Sequence, residues 1–256
     1  MSDPFSLAGA TVLVTGGTRG LGAAISLRLA RAGAAVVANY ARNDEAAQAL
    51  EGRARADGLA LVVLRADLTL TKGLALVKER MEQCAGTVSI VHCAATGVHR
   101  PFEQLTAKHL DWTMSLNARA FFELVQALLP KLGDGSAVVA MSSAGAVRAV
   151  PAYTAVGASK GALEAMARHL AAELAPRGIR VNVLSPGSVE THAWDTFPDR
   201  EQRLAEAAGD ATDEAEKLAD EILAEIPAEA QGEDEFDIAY RQLLAQYGNK
   251  KEGPAA

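Results

Sequence analysis

Six short apolar stretches recur up to Gly187: ATVLVTG, AAVVANY, LALVVLRAD, SIVHCAA, SAVVAMSS and IRVNVLSPG. Each is rich in β-branched residues and lacks the polar alternation of a strand with one wet face. Each therefore reads as a strand buried on both sides, as in a parallel sheet covered by helices. Between them run longer stretches of helical period, among them GLGAAISLRLARAG and LNARAFFELVQALLPKL. Strand and helix in alternation predict a doubly wound α/β domain.

After Gly187 the alternation stops. An Ala/Glu-rich region follows, with two amphipathic patches, Leu218/Ile222/Ile226 and Phe236/Tyr240/Leu243/Leu244/Tyr247, separated by PAEAQGEDE. Each patch can form one apolar helix stripe. The expected division is a nucleotide-binding catalytic domain over residues 1–198, followed by a lid and an acidic helical region over 199–256. Two apolar stripes need a surface to bury them, so this region is expected to pack on the same domain or on a dimer partner.

The first strand runs into TGGTRGLG, Thr15 to Gly22, which opens the first helix. Glycines let a backbone approach a pyrophosphate closely, and the free N–H groups of a helix start favour its charge. Between a strand and a helix near the N-terminus, this loop points to a Rossmann-type dinucleotide site, with Gly16, Thr18, Arg19, Gly20, Leu21 and Gly22 as contacts. An NAD site places a carboxylate at the end of the second strand. Here that place reads NYARND, with Asn39, Tyr40 and Arg42 and no carboxylate before Asp44. Arg19 and Arg42 can fork a 2′-phosphate, which predicts NADPH as cofactor; the competing reading is that Arg42 only solvates a helix start. Asp67, ending the third strand with Leu68 beside it, is placed for the adenine amine, or else caps the turn that follows.

Composition narrows the setting. With 256 residues and 49% apolar content the chain can bury a full core. Cys84 and Cys93 are too few for a disulfide framework and show no metal-ligand spacing, so a reducing cytoplasm and no metal are expected. MSDPFSLAGA lacks the basic-then-apolar pattern of a leader, and no apolar run is long enough to span a bilayer. A net charge of −7 argues against nucleic acid and anionic membrane as partners. That charge is uneven: 16 acidic and 6 basic residues from Asp199 onward give −10, leaving +3 for residues 1–198.

The loop TGGTRGLG, Asn117 in SLNARAFF, Ser142 and Ser143, Lys160 and SPGSVET resemble the short-chain dehydrogenase/reductase superfamily in order and spacing, from residue 7 to about 195. AATGVHRPFEQL, HLDWTMSLNARA, YTAVGASKGALEAMARHLAAELAP and FPDREQRLAEA are similar to its enoyl-acyl-carrier-protein reductase III group. The resemblance implies that Ser143 polarises a substrate oxygen and that Lys160 holds the nicotinamide ribose and lowers the pKa of a proton donor. It implies that Asn117 maintains a water relay, and that Ala94, Pro186, Gly187, Val189 and Thr191 line the cofactor. It also implies a homodimer or homotetramer, since the long fourth and fifth helical segments resemble the family's dimer-forming pair.

In ketoreductases of this superfamily the donor is a tyrosine four residues before the lysine; here that residue is Val156. Enoyl reductases place it seven before, where this chain has Tyr153. Four residues advance a helix by about 40° beyond one turn and seven fall about 20° short of two, so either spacing keeps both groups on one face. The three extra residues amount to about 4.5 Å if the helix extends that far, as Pro151 in its first turn would suggest. Enoyl reduction needs such a shift, because charge develops on an oxygen two carbons from the atom that takes the hydride. The opposing reading makes Tyr153 a packing aromatic and Val156 the mark of lost activity.

Three functions follow: an NADPH-dependent reductase of an enoyl thioester, carrier-linked, in fatty-acid or secondary metabolism; a ketoreductase; or a non-catalytic cofactor-binding subunit of a hetero-oligomer. His92 and Cys93 stand where the family keeps asparagines, and read as core residues. His99 and Arg100, on the loop over the expected site, read as solvated residues, with contact to substrate as the alternative. Trp194 and Phe197 are candidates either for a lid over an acyl chain or ring or for helix packing. The family's seventh strand has no counterpart in the acidic region.

Overall fold

A computed structural model describes residues 6–186. The six expected strands all form: β1 (Thr11–Thr15), β2 (Ala35–Tyr40), β3 (Leu61–Arg65), β4 (Val88–His92), β5 (Ala137–Met141) and β6 (Arg180–Leu184). They make one parallel sheet in the order β3-β2-β1-β4-β5-β6. The order reverses between β1 and β4, which opens a crevice at the carboxyl ends of those strands.

Alternation along each strand divides the core. Val12 and Val14 of β1 join Ile25 and Leu29 of helix α1 (Gly20–Arg31) and Leu50 of α2 (Asp44–Ala56) on one face. Leu13 joins Val77 and Met81 of α3 (Thr71–Glu82), and Phe121, Leu124 and Leu163, on the other. Burial on both faces explains the uninterrupted apolar runs.

The fourth helical segment starts earlier than its sequence pattern suggests. It is α4 (Ala107–Met114), a π-helical turn at Ser115–Arg119 and α5 (Ala120–Leu128), continuous through Asn117. A capping box sets its start, with the Thr106 hydroxyl accepting from the His109 backbone N–H and the Thr106 N–H donating to the His109 ring. The fifth is α6 (Thr154–Leu174). It does not extend back to Pro151 as expected: Ala152 has φ 57, a left-handed conformation that breaks the helical path, and Tyr153 is the N-cap. The Tyr153 carbonyl accepts the first helical bond, from Gly157 N–H at 2.7 Å.

No helix among the described residues is long and apolar enough to cross a membrane. The boundary expected at residue 198, the acidic region and the lid residues Trp194 and Phe197 lie outside the described residues.

Candidate active site

The glycine loop is built for close approach. Gly16, at φ 63, passes so near β4's continuation that a Cβ would lie 2.9 Å from Ala94 Cα. A Cβ on Gly22 would collide with the Gly16 carbonyl. No side chain caps the start of α1 at Arg19, which leaves its first N–H groups without a capping side-chain acceptor among the described residues. Such a cradle fits a pyrophosphate. Thr18 is buried behind it, while Arg19 and Gly20 are exposed.

At the end of β2, Asp44, the first available carboxylate, is already engaged. Its oxygens accept from the Tyr40 hydroxyl and from Arg65, each at 3.0 Å. Burial first, and then the Asp44 bond, hold the Tyr40 phenol above its ordinary range. Arg42 is exposed and makes no ion pair with another described side chain. Asn39 is structural: its amide donates to the Leu64 and Ala66 carbonyls, pinning β2 to β3. Asp67 accepts from the Thr69 hydroxyl at 2.6 Å and the Thr69 N–H at 3.0 Å. The Thr69 hydroxyl bond is the main cause holding its carboxyl below the usual range. One oxygen thus caps the turn, as the second sequence reading had it. Leu68 sends its side chain into the core, leaving only backbone for a ligand.

The loop after β5 brings the candidate catalytic groups together. Ser142 and Ser143 have separate tasks. Ser142 donates to Glu164 of α6 at 2.6 Å, while Ser143 Oγ lies 3.1 Å from the Tyr153 hydroxyl. Ser143 Oγ also accepts from Gly145 N–H at 3.1 Å, which fixes its position. Val156 is buried, and a Cβ on Gly97 would run into its Cγ2. The four-residue position is closed by packing.

Lys160 is buried and donates to the Met141 carbonyl at 2.6 Å. Loss of solvation brings its ammonium down to about 8. Asn117, placed by the π turn, exchanges two bonds of 2.8 Å with the backbone of Thr96 and donates to Ser159 Oγ at 2.9 Å. Its amide ties the loop after β4 to α6, and none of these three bonds reaches Lys160. Pro186 follows β6 at the same edge of the sheet. Gly187, Val189 and Thr191 lie outside the described residues.

His92 is a core residue: its Nδ1 lies 3.0 Å from Thr15 Oγ1, which itself accepts from Ala94 N–H at 3.1 Å. Cys93 is half-buried, and loss of solvation raises its thiol to about 11. Arg100 is exposed, but His99 is half-buried and stacks on the Tyr153 ring, centroids 5.3 Å apart and planes 20° apart. Neither this stack nor the contact of Gly145 with the same ring was visible in the sequence, because a turn at residues 151–152 brings them together.

A parallel sheet with a glycine cradle at its switch point, and a serine, tyrosine and lysine gathered at the end of β5, define a dinucleotide-dependent oxidoreductase. The family model described as enoyl-(acyl carrier protein) reductase matches residues 16–228, and the chain belongs to that family, within the short-chain dehydrogenase/reductase superfamily. It is 34% identical over 186 residues to 1-cyclohexenylcarbonyl-CoA reductase of Streptomyces collinus, a match spanning 72% of this chain and 66% of that one. It is 34% identical over 194 residues to a hydroxynaphthalene reductase-like protein of Metarhizium brunneum, covering 75% of this chain and 73% of that one. A short-chain dehydrogenase from Burkholderia cenocepacia, solved in complex with NADP, superposes with a TM-score of 0.73 at 33% identity, over 83% of this chain and 90% of that one.

Proposed function

We propose that this chain is an NADPH-dependent reductase of an enoyl thioester, with Tyr153 as proton donor. The observation that carries the reading is the 3.1 Å contact of the Tyr153 hydroxyl with Ser143, at a site where Val156 is buried and closed off. The cofactor is NADP(H). Gly16, Thr18, Arg19, Gly20, Leu21 and Gly22 receive its pyrophosphate, Arg19 and Arg42 its 2′-phosphate, and Tyr40, Asp67, Leu68 and Ala94 flank the nucleoside. Asp44 is held by Tyr40 and Arg65, which favours NADPH over NADH.

Held by these residues, NADPH would supply the hydride that reduces the β-carbon of the substrate. The chain's own groups handle the charge that results on the thioester oxygen. Ser143 donates a hydrogen bond to that oxygen and Tyr153 transfers its proton there. Lys160, buried against the end of β5, would stabilise the phenolate left behind and hold the nicotinamide ribose. Asn117 is a positioning residue, setting the loop after β4 against α6.

The named relatives support both a thioester and a cyclic ketone or enol as substrate. The compound in the name of the 1-cyclohexenylcarbonyl-CoA reductase has a double bond conjugated to a thioester, the substrate chemistry proposed here. The hydroxynaphthalene reductase-like relatives favour the second reading, reduction of a ring carbonyl. A carrier protein as thioester donor and a homodimer or homotetramer belong to the same proposal. Purified protein given crotonyl- or acetoacetyl-thioester should oxidise NADPH, and not NADH, with the first. Tyr153→Phe should lower turnover by roughly 100-fold or more while leaving the NADPH dissociation constant near that of the parent. Consumption of only the acetoacetyl compound would favour ketone reduction; no consumption of either, with a co-purifying partner, would favour a cofactor-binding subunit.

A further inference from the structure

We propose that His99 is a positioning residue that holds the Tyr153 ring by stacking, so that its hydroxyl stays on Ser143. The inference rests on the reading of Tyr153 as the donor. A tyrosine four residues before the lysine would lie within the helix, its side-chain direction set by the turns on either side. Tyr153 lacks that support. It is the N-cap, with φ −118 and ψ 8, and the residue before it, Ala152, sits at φ 57. Moving the donor seven residues upstream therefore places it where the helix stops orienting side chains, and other contacts must do so.

Ser143, Gly145 and His99 all bear on the Tyr153 side chain. Ser143 Oγ meets the hydroxyl at 3.1 Å, the Gly145 backbone abuts the ring at Cδ1 and Cε1, and the His99 imidazole lies over the ring at 5.3 Å with planes 20° apart. A hydroxyl contact by itself does not set the tilt of an aromatic ring. A flat group stacked on the ring restrains that tilt, and an offset parallel arrangement at this separation is a favourable one for two aromatic rings. His99 is itself placed from a distance. Its loop is anchored three residues earlier, where Asn117 bonds both the N–H and the carbonyl of Thr96. The π turn that carries Asn117 thus reaches the donor tyrosine through Thr96 and His99.

The test uses the full chain with His99→Ala and His99→Phe. Alanine removes the stack and should lower kcat for crotonyl-thioester about 3- to 10-fold, the scale of one aromatic pair, with KM for NADPH unchanged. Phenylalanine keeps a flat ring and should restore most of the loss. A readout independent of turnover is the ring-proton resonance of Tyr153, one of four tyrosines, assigned by its absence from Tyr153→Phe. It should be shifted upfield in the parent and in His99→Phe, and return towards the ordinary position in His99→Ala. A raised substrate KM with intact kcat in His99→Ala would make His99 a substrate contact and overturn the proposal. So would an unmoved resonance, or a phenylalanine variant as poor as the alanine one. Turnover retained in Tyr153→Phe would instead sink the donor assignment, leaving the resonance to decide whether His99 holds the ring.

Discussion

A methyl group on Gly145 would have to occupy space already filled by the Tyr153 ring. The ring has little freedom to retreat, because His99 stacks on it and its hydroxyl engages Ser143. Gly145→Ala should therefore displace the phenol and lower turnover with NADPH affinity near normal, the cofactor cradle lying across the crevice. Gly161, one turn past Gly157 in α6, supplies the contrast: a Cβ there would meet the Ala146 carbonyl at 3.5 Å, an ordinary contact. Gly161→Ala should keep activity and stabilise by roughly 0.5–1 kcal/mol, the helix-propensity difference. Steady-state kinetics and a denaturant titration separate the two outcomes; equal activity in both variants would mean that the ring accommodates the methyl. At this scale the sequence was partly legible. The seven-residue offset between Tyr153 and Lys160 could be read directly, but helical period does not relate them, since Tyr153 is the N-cap of α6. The apposition of Gly145 and His99 with the ring could not, since it depends on the turn at Ala152.

Strands were the most legible elements, because burial on both faces leaves an unbroken apolar run whose ends coincide with Gly or polar residues. The helices were less so. The pattern LNARAFFELVQALLPKL marks only the second half of the α4–π–α5 segment, because Trp112 and Leu110 are partly exposed and blur the period before it. Within β4, one element carries an acid-sensitive group. The His92 imidazole is buried, its Nδ1 3.0 Å from the Thr15 hydroxyl, which also accepts from Ala94 N–H. Burial first, and then the nearby Lys160 ammonium, hold the ring's pKa down to about 3. Between pH 6.5 and 3 the unfolded chain binds a proton at this position and the folded chain does not. Folding stability must then fall as pH drops through that window, by up to about 1.4 kcal/mol per unit from this group. His92→Asn, the family's own residue there, should flatten the acid limb of a stability-against-pH curve. Parallel acid limbs for the two proteins would show that His92 is not the group responsible.

At the scale of the described residues as a whole, the crevice at the carboxyl edge of the sheet gathers the cofactor and catalytic candidates, while a different surface holds an apolar groove. Trp112, Met114, Ala118, Phe122 and Met166 line a space of about 760 Å³ along the continuous α4–α5 segment and α6. Trp112 and Phe122 are 40% and 45% exposed there, large apolar side chains that a monomer would leave wet. These are the two helical segments that resemble the family's dimer-forming pair, so a second copy of the chain is the expected occupant, bringing the same face to itself about a two-fold axis. The π turn that sets Asn117 and the face that would bury Phe122 belong to one helical segment, so assembly and the active site share a support. Phe122→Glu would place a carboxylate at the centre of that contact in both copies at once, a doubled penalty in an isologous interface. Sedimentation velocity should then show the parent as a dimer or tetramer and the variant one assembly step smaller. Loss of turnover should accompany dissociation if the partner helix steadies the segment around Asn117. A variant of unchanged sedimentation would mean that the copies meet through another surface, or that the groove faces a different part of the chain.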